Sequence, residues 1–415
     1  MILLGCSLWN LPLGSCAALS LDEAVNMALE QNTEIKIAAK GEEKAMANVD
    51  AAKGANGFSV GMTASLAIAD GATKDFSRTN TNNIAASLPI YTGGANELAI
   101  ENKELALVSS RLNTVRTREN IKLDTVKAYY DILEREKEVS VDQESVDNYQ
   151  AHLTNVQQLY SAGSKARVEV LRSEVQLSDA RQTLIKAQNA YELAVSTLKN
   201  IIKLNRDETL TLTDDFSYAA FEKPLVLCLD YAMINRKDLQ QAKLTVDEAE
   251  KSVKIAQAGF LPSVKLSAGL GWENQPLPND KHYNYTAGVA ASWDVFDSNV
   301  TKANVKAAKA AVEEAELTLA KDQDAVDLAV RQAYLNMKEA EKRFVSTQDA
   351  VKQAKEDYYI ANQKYKAGEG LMLDIIDAQL ALSTAQLNYI SAQYDYARYK
   401  ATVENVMGLS DEVNG

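Results

Sequence analysis

Hydrophobic and polar positions along this chain follow two different periods. Between Gly94 and Tyr160 there is neither Gly nor Pro, and a single helix of that length would be about 100 Å long. Apolar and aromatic residues recur there at alternating steps of three and four, at Val146, Tyr149, Leu153, Val156 and Tyr160. A second such series runs through Leu373, Ile376, Leu380, Ser383, Leu387, Ile390, Tyr394, Ala397 and Ala401. This spacing predicts long helices that pack side by side, as in a coiled coil.

Four other segments alternate with a period of two, which predicts strands at about residues 57–70, 82–92, 260–272 and 283–296. Phe58, Val60 and Met62, for example, alternate with Ser59 and Gly61. This pattern fits a half-buried strand in any sheet. It also fits a membrane barrel, in which lipid-facing residues alternate with residues that face a wet lumen. Strands of about 9–11 residues suit the membrane interpretation.

Aromatic residues lie near the ends of the predicted strands. Trp272, Tyr283, Tyr285 and Trp293 are in positions where a membrane barrel carries interfacial aromatics. Four strands are too few to close a barrel, and an open sheet edge cannot face lipid. A membrane barrel would therefore have to be assembled from several chains.

The sequence repeats itself with an offset of 205 residues. The offset superposes residue pairs in strands, helices and turns: Ser87 and Ser292, Ala128 and Ala333, Tyr160 and Tyr365, Ala162 and Ala367, Gly163 and Gly368, Leu177 and Leu382, and Tyr191 and Tyr396. Chance similarity between alanine-rich helices would not keep one register through turns and strands, so we expect duplication of a whole unit. We predict a first repeat at residues 19–213, a linker at 214–227, a second repeat at 228–409 and a tail at 410–415.

Composition excludes several classes of function. Acidic residues outnumber basic ones by 57 to 44, a net charge of −13, which argues against a nucleic-acid partner. The only histidines, His152 and His282, belong to no metal-binding spacing, and Cys228 has no evident base beside it. His152 is next to Leu153 on a predicted helix and is expected to be a surface residue. We therefore predict no enzyme activity, no metal site and no cofactor.

The first eighteen residues have the pattern of a signal peptide. An apolar stretch is followed by the small residues 15–18, although no basic residue occurs before Lys36. A buried N-terminal segment is the alternative. Residues 13–16 also resemble a lipoprotein processing site, which leaves open whether Cys16 is lipidated. No later stretch approaches the roughly 18 apolar residues of a membrane helix, so entry into a membrane would have to use strands.

Taken together, four segments resemble the outer-membrane efflux protein family, the TolC-like channels. They are LDEAVNMALEQNTEI from Leu21, SLPIYTGG from Ser87, GFLPSVKLSAGLGW from Gly259, and the two Tyr-x-Ala-Gly turns at Tyr160 and Tyr365. The resemblance covers the chain after about residue 19. One junction departs from the family, because DVFDSN from Asp294 lacks the glycines of the first copy, and we expect its turn geometry to differ.

The resemblance implies a mainly α fold with a membrane β-barrel part. Three identical chains with four strands each would form a twelve-stranded barrel in the outer membrane, continued by a helical tunnel in the periplasm. The implied function is a passive exit duct that works with a periplasmic adaptor protein and an inner-membrane pump. Drug efflux and type I protein secretion both remain open as its task, and the partner pump is not identified.

The resemblance also assigns a gate to the turns at the periplasmic tip. Asp374 and Asp377 match the paired gate aspartates of the family, Tyr365 matches a tyrosine that holds the closed state, and Glu169 takes the place of Asp374 in the first repeat. The turn residues implied to contact the adaptor are Ala162, Gly163, Ala367 and Gly368. Without the family, the aspartates would be read as residues that complement a helix dipole.

One gate residue of the family is missing. Its gate arginine falls at Gly370, which cannot form an ion pair. Two alternatives follow: Lys165 or Arg167 of the first repeat substitutes for the arginine, or the gate is held more loosely. The main alternative for the whole chain is a periplasmic coiled-coil structural or adaptor protein without a pore. The four strands distinguish the two hypotheses, because a fibre would not need them.

Overall fold

The computed structural model describes residues 16–71, 74–274, 277 and 283–409. Its helices are α1 Leu21–Gln31, α2 Thr33–Ala55, α3 Ala95–Ser161, α4 Arg167–Ile202, α5 Leu225–Asn235, α6 Lys237–Gln257, α7 Val300–Lys366 and α8 Met372–Val406. Its strands are β1 Cys16–Leu19, β2 Ser59–Gly71, β3 Lys74–Tyr91, β4 Thr209–Leu212, β5 Ser263–Glu273 and β6 Tyr283–Ser292. Within these ranges, no helix is both long and apolar enough to cross a membrane.

The internal repeat is confirmed by the helix boundaries. Both ends of α7 lie 205 residues after the ends of α3, and α8 begins 205 residues after α4. The same order of two short helices, two strands, one long helix and a return helix occurs twice. The predicted mainly helical fold is therefore confirmed at the level of the single chain.

The four longer strands form one antiparallel sheet in the order β2-β3-β5-β6. β3 and β5 join the two copies, with Ser87 opposite Ser267. β3 begins at Lys74 rather than near residue 82, because its first half pairs with β2 through the backbone although its side chains are mostly polar and do not alternate. Much of the sheet's apolar surface is uncovered: Val60, Met62 and Ile68 are each more than half exposed.

The chain divides into two compact units. The first contains the described residues up to Lys36, Arg116–Arg236 and the residues from Ala325 onwards; the second contains Ile37–Val115 and Lys237–Asp324, including the sheet. The main core of the first unit is an apolar cluster from α1, α3, α4 and α8: Ala24, Ala28, Tyr129, Ile132, Leu133, Ala194, Leu198, Ile202, Ile390 and Tyr394. Burial of this cluster packs the helices against one another.

The short strands of the first unit fasten the start of the described chain. β1 pairs in parallel with β4, and the hydroxyl of Tyr129 donates a hydrogen bond to the carbonyl oxygen of Leu19 at 3.1 Å. The predicted end of the signal peptide at residue 18 falls within β1. Residues 1–15 and the predicted tail at 410–415 lie outside the described residues.

The linker is held by aromatic contacts with α7 and α8. The ring of Phe216 lies 5.7 Å from that of Phe344, and the hydroxyl of Tyr218 donates to a carboxylate oxygen of Glu341 at 2.7 Å. The Tyr396 hydroxyl donates to a backbone carbonyl of the linker at 2.8 Å. The last three residues of the predicted linker, 225–227, form the first turn of α5.

In the single chain, the first half of α8 buries a different row of residues from the predicted series through Leu373 and Leu380. Leu373 and Leu380 are 59% and 62% exposed, whereas Met372, Ile375 and Gln379 are buried. The two rows are neighbours on the helix surface, because Ile376 of the predicted series lies four residues after Met372 and three before Gln379. The chain buries this second row because Met372 and Ile375 meet α3 and α7 in one apolar cluster.

The two residues directly before α7 have the backbone conformation of the corresponding glycines in the first copy, although neither of them is glycine. Gly93 and Gly94 have φ angles of +67° and +84°, and Ser298 and Asn299, 205 residues later, have +56° and +67°. The two junctions therefore agree at these two residues but differ before them, because β3 continues to Tyr91 whereas β6 ends at Ser292, four residues before the equivalent position. Asn tolerates this left-handed region better than most residues. Asp297 supports the turn, because its carboxylate accepts a hydrogen bond from the backbone N–H of Thr301 at 2.6 Å.

Each long helix ends in the same turn. Two amide groups after the helix bond back to two carbonyl groups of its last turn, as in a Schellman motif: Gly163 to Tyr160 and Ser164 to Leu159 in the first copy, and Gly368 to Tyr365 and Glu369 to Lys364 in the second. Gly163 and Gly368 have φ angles of +76° and +79°. The left-handed glycine ends the helix and lets the return helix begin within a few residues.

Replacing Gly368 by Ala should destabilise the chain by about 1–2 kcal/mol, because the left-handed backbone crowds a Cβ atom. Gly54→Ala is the matched control. Gly54 lies within α2, and nothing lies within 4 Å of a Cβ added there. This control should stabilise by about 0.5–1 kcal/mol. Thermal unfolding of both variants in detergent, followed by circular dichroism, measures the difference. Equal melting temperatures would contradict the role assigned to the turn.

Candidate functional site

The turns at the ends of α3 and α7 bring together three side chains from both copies of the repeat. The hydroxyl of Tyr365, in the last turn of α7, donates a hydrogen bond to Glu169 Oε2 at 3.2 Å. Lys165, in the turn before α4, has its Nζ 3.4 Å from the same carboxylate oxygen and 4.7 Å from the centre of the Tyr365 ring. We call Lys165, Glu169 and Tyr365 the tip cluster.

An apolar layer fixes the position of the tip cluster. The ring of Tyr365 is only 2% exposed and packs with Val156 of α3 and with Met372 and Ile375 of α8. Burial, together with the negative charge of Glu169, raises the pKa of Tyr365 to about 12. The phenol is therefore a stable hydrogen-bond donor over the whole physiological pH range.

The tip cluster distinguishes between the two basic residues that were candidates for the missing arginine. Lys165 forms an ion pair with Glu169 and a cation–π contact with Tyr365, whereas the side chain of Arg167 is exposed. Position 370 has no room for an arginine in this turn. A Cβ atom on Gly370 would lie 2.9 Å from the backbone nitrogen of Tyr365.

The two aspartates at the start of α8 have different local roles. Asp374 Oδ2 accepts a hydrogen bond from the backbone N–H of Leu371 at 3.1 Å, which closes the first turn of the helix. Asp377 lies beyond the first turn, where the helix dipole has little effect. Both side chains are exposed and lie three residues apart, on neighbouring positions of one face. Helix capping thus accounts for Asp374 but not for Asp377.

Two residues of the tip region were not recognised from the sequence. His152 was expected at the surface, but its Nε2 is shielded from solvent and its ring lies 5.1 Å from that of Tyr365. His152 lies three residues after Tyr149 and four before Val156. This spacing would have identified it as part of the apolar series along α3. Gln379, 2% exposed, bonds to Asn148 at 3.0 Å and so links α8 to α3.

The predicted adaptor-contact residues Ala162, Gly163, Ala367 and Gly368 are all exposed at the two turns. This exposure leaves them accessible to another protein. Their proposed role in binding an adaptor stays a prediction.

The predicted interfacial aromatics lie at the two ends of β5 and β6. Tyr283, Tyr285 and Trp293 are more than half exposed, whereas Trp272 is 4% exposed. Trp293 Nε1 donates to the carbonyl oxygen of Phe260 at 3.0 Å, which holds its ring at the other end of β6 from Tyr283. These ends are about 33 Å apart at strand spacing, close to the hydrocarbon thickness of a bilayer.

Comparison with known proteins gives a consistent result. The family model for outer membrane efflux proteins matches residues 24–202 and 228–409, one match for each repeat. The chain is 21% identical to Outer membrane protein TolC of Escherichia coli (strain K12) over 97% of this chain and 86% of that protein. It is 25% identical to Toxin and drug export protein A of Aggregatibacter actinomycetemcomitans over 93% and 86%, respectively. Its fold matches the Campylobacter jejuni CmeC outer membrane channel with a TM-score of 0.84 and 18% identity, covering 95% of this chain and 88% of that chain.

The titration of Tyr365 tests the geometry of the tip cluster. A raised pKa stabilises the folded chain fully below the ordinary value of about 10, and this stabilisation is lost as the pH rises towards 12. At pH 11 the phenol should therefore remain un-ionised. Glu169→Gln should lower the pKa of Tyr365 but leave it above 10, because burial is the larger cause. The absorbance at 295 nm measures this ionisation. The absorbance of the same protein carrying Tyr365→Phe is subtracted from that of each protein, so that only Tyr365 contributes to the difference. An ordinary titration near pH 10 would contradict the buried position of the ring.

Proposed function

Because the chain belongs to the outer membrane efflux protein family, we propose that three copies of it form a passive exit duct in the outer membrane. The observation that carries this proposal is the twofold repeat of a strand pair, a 67-residue helix and a return helix, which the family model matches twice. This family is one of channels rather than enzymes. The alternative, a periplasmic structural protein without a pore, does not explain why the strands expose apolar side chains.

The sheet supports assembly of several chains. In the four-stranded sheet, β2 and β6 each pair with only one described strand, so this sheet has two open edges. Open edges in contact with lipid are costly, because their backbone groups have no hydrogen-bond partners there. Pairing of β2 of one copy with β6 of the next would close the sheet, and three copies would provide twelve strands. The exposed Tyr283, Tyr285 and Trp293 would then lie at the two membrane surfaces.

The long helices also require cover from neighbouring copies. Large apolar side chains on the return helices are more than half exposed in the single chain: Val175, Ile185, Leu193, Leu373 and Leu380. An exposed apolar surface of this extent is typical of an interface. We infer that adjacent copies cover these side chains in a helical tunnel in the periplasm.

The tip cluster has the properties of a closed-state latch. Tyr365 and Glu169 belong to different repeats, so their hydrogen bond joins the end of α7 to the start of α4. Lys165 takes the charge-balancing role of the arginine that is missing at Gly370. In a threefold assembly, Asp374 and Asp377 would form two rings of three carboxylates near this point. Rings of this kind attract cations and disfavour anions.

In the proposed function, partners on the inner side deliver the cargo to the duct. A passive duct needs an energy source, and we propose an inner-membrane pump coupled through a periplasmic adaptor that contacts the exposed turns. One relative is named for the export of toxins and drugs. Small molecules and secreted proteins are accordingly the two candidate classes of cargo.

Planar-bilayer recording of the purified protein tests the proposed duct. Discrete conductance steps are expected, with a reversal potential in a salt gradient that indicates preference for cations. Failure of folded protein to insert into the bilayer would contradict the channel and favour the periplasmic structural protein.

The carboxylate rings are tested by the double variant Asp374→Ala, Asp377→Ala. It should shift the reversal potential towards that of a non-selective pore without preventing trimer formation, because the rings attract cations by charge alone. The matched control is Glu313→Ala, Glu316→Ala, which removes two exposed carboxylates with the same spacing from α7. Unchanged selectivity in the aspartate variant would leave Asp374 and Asp377 as helix-start residues only.

A further inference from the structure

His152 is a half-buried titratable group beside the tip cluster. Its ring, on α3, lies 5.1 Å from that of Tyr365 and is tilted by 51° against it. Its Nε2 is shielded from solvent and has no hydrogen-bond partner in the part of the chain that the structure describes. A shielded ring nitrogen without a partner is costly to protonate, since the new charge gains no hydrogen bond.

The groups around His152 come from four elements. The charged ones are Lys165 in the turn before α4 and Glu169 on α4. Tyr365 of α7 meets the ring directly, and the apolar cluster around Tyr365 also contains Tyr358 of α7 and the uncharged Met372 and Ile375 of α8. Glu169 is the only acidic group among them. Its carboxylate accepts a hydrogen bond from the hydroxyl of Tyr365 and forms an ion pair with Lys165. The negative charge nearest to His152 is therefore already engaged by two other groups.

The balance of these effects favours neutral imidazole. Burial, as the main cause, lowers the pKa of His152; the positive charge of Lys165 lowers it further, and Glu169 offsets only part of this. Protonation would place a second cation beside Lys165 and against the apolar layer below Tyr365. The charged ring would be accommodated better if α3 and α7 separated at the tip and admitted water.

We propose that His152 is a positioning residue of the tip cluster, and that its protonation weakens the closed state of the duct in mildly acidic solution. This inference rests on the proposed function of the cluster as a latch. Neutral His152 supports the ring of Tyr365, which in turn holds the hydrogen bond to Glu169. Imidazolium at the same place disrupts that support.

The direction of the pH dependence follows from linkage. A histidine whose pKa is lower in the closed state than in the open state stabilises the closed state above its ordinary value of about 6.5. This stabilisation is lost progressively as the pH falls below that value. Each unit of difference between the two pKa values changes the open-to-closed ratio by about tenfold.

The test is the open probability of the full-length protein in planar bilayers between pH 7.5 and 5.5. The wild type should open more often at the lower pH. Two variants remove the titration in different ways: His152→Gln retains a polar side chain of similar length, and His152→Phe retains a ring that packs on Tyr365. Both should make the open probability independent of pH. His152→Phe should also keep it at the low level of the wild type at pH 7.5, because the ring contact is preserved.

The other histidine of the chain provides the matched control. His282→Gln removes the only other imidazole and should leave the pH response of the wild type unchanged. A response that persists in both His152 variants, or that is lost in His282→Gln, would overturn the inference while leaving the channel itself intact. Folded protein that fails to insert into the bilayer would overturn the proposed duct and this inference with it, whereas inserted protein that stays silent at every pH would overturn only the proposed opening in acid.

Discussion

The reversal of the chain at Gly163 and Gly368 is the constraint on which the described tip depends. Each 67-residue helix is turned back on itself within a few residues by one glycine in the left-handed region, which other residues adopt at a cost. The turn then determines which side chains meet. Because Tyr365 lies in the last helical turn before Gly368, its ring is directed into the space where α3, α4 and α8 begin or end.

Charge at the tip is distributed between paired and unpaired carboxylates. Glu169 is held by a phenol and an ammonium group, so little of its charge is available to a passing ion. Asp374 and Asp377 are exposed, and only the first of them contributes to the local backbone. One set of carboxylates therefore holds elements together and the other faces solvent, although both lie within one or two helical turns of a glycine turn.

The larger features of the fold could be predicted because they depend on short-range rules. The offset of 205 residues, the helix-ending glycines and the alternation of the strands are all visible without knowledge of tertiary contacts. The face that α8 buries was not predictable in its first half. Two apolar rows, one through Leu373 and one through Met372, are equally regular, and only the presence of α3 and α7 decides between them.

The individual contacts of the site could not be predicted from the sequence, because they too depend on residues that are distant along the chain. Lys165 and Arg167 are two residues apart and chemically alike, and their different roles follow from where Tyr365 lies, 200 residues away. The burial of Trp272, 4% exposed, likewise depends on neighbouring strands rather than on its place in β5. The family resemblance indicates which residues correspond to gate and turn positions. Which of those residues touch one another is visible only in the structure of this chain.

The junctions before the two long helices show how differently two copies of one gene segment are free to evolve. At Gly93 any side chain would press against Ala258 and Leu261, at 3.1 Å, so steric crowding as well as backbone conformation demands glycine there. At Ser298 the same backbone conformation is kept by a residue with a side chain. A Cβ atom at position 93 thus meets two obstacles, the left-handed backbone and the crowding by Ala258 and Leu261. Two halves that share a backbone conformation can therefore differ in which residues that conformation accepts.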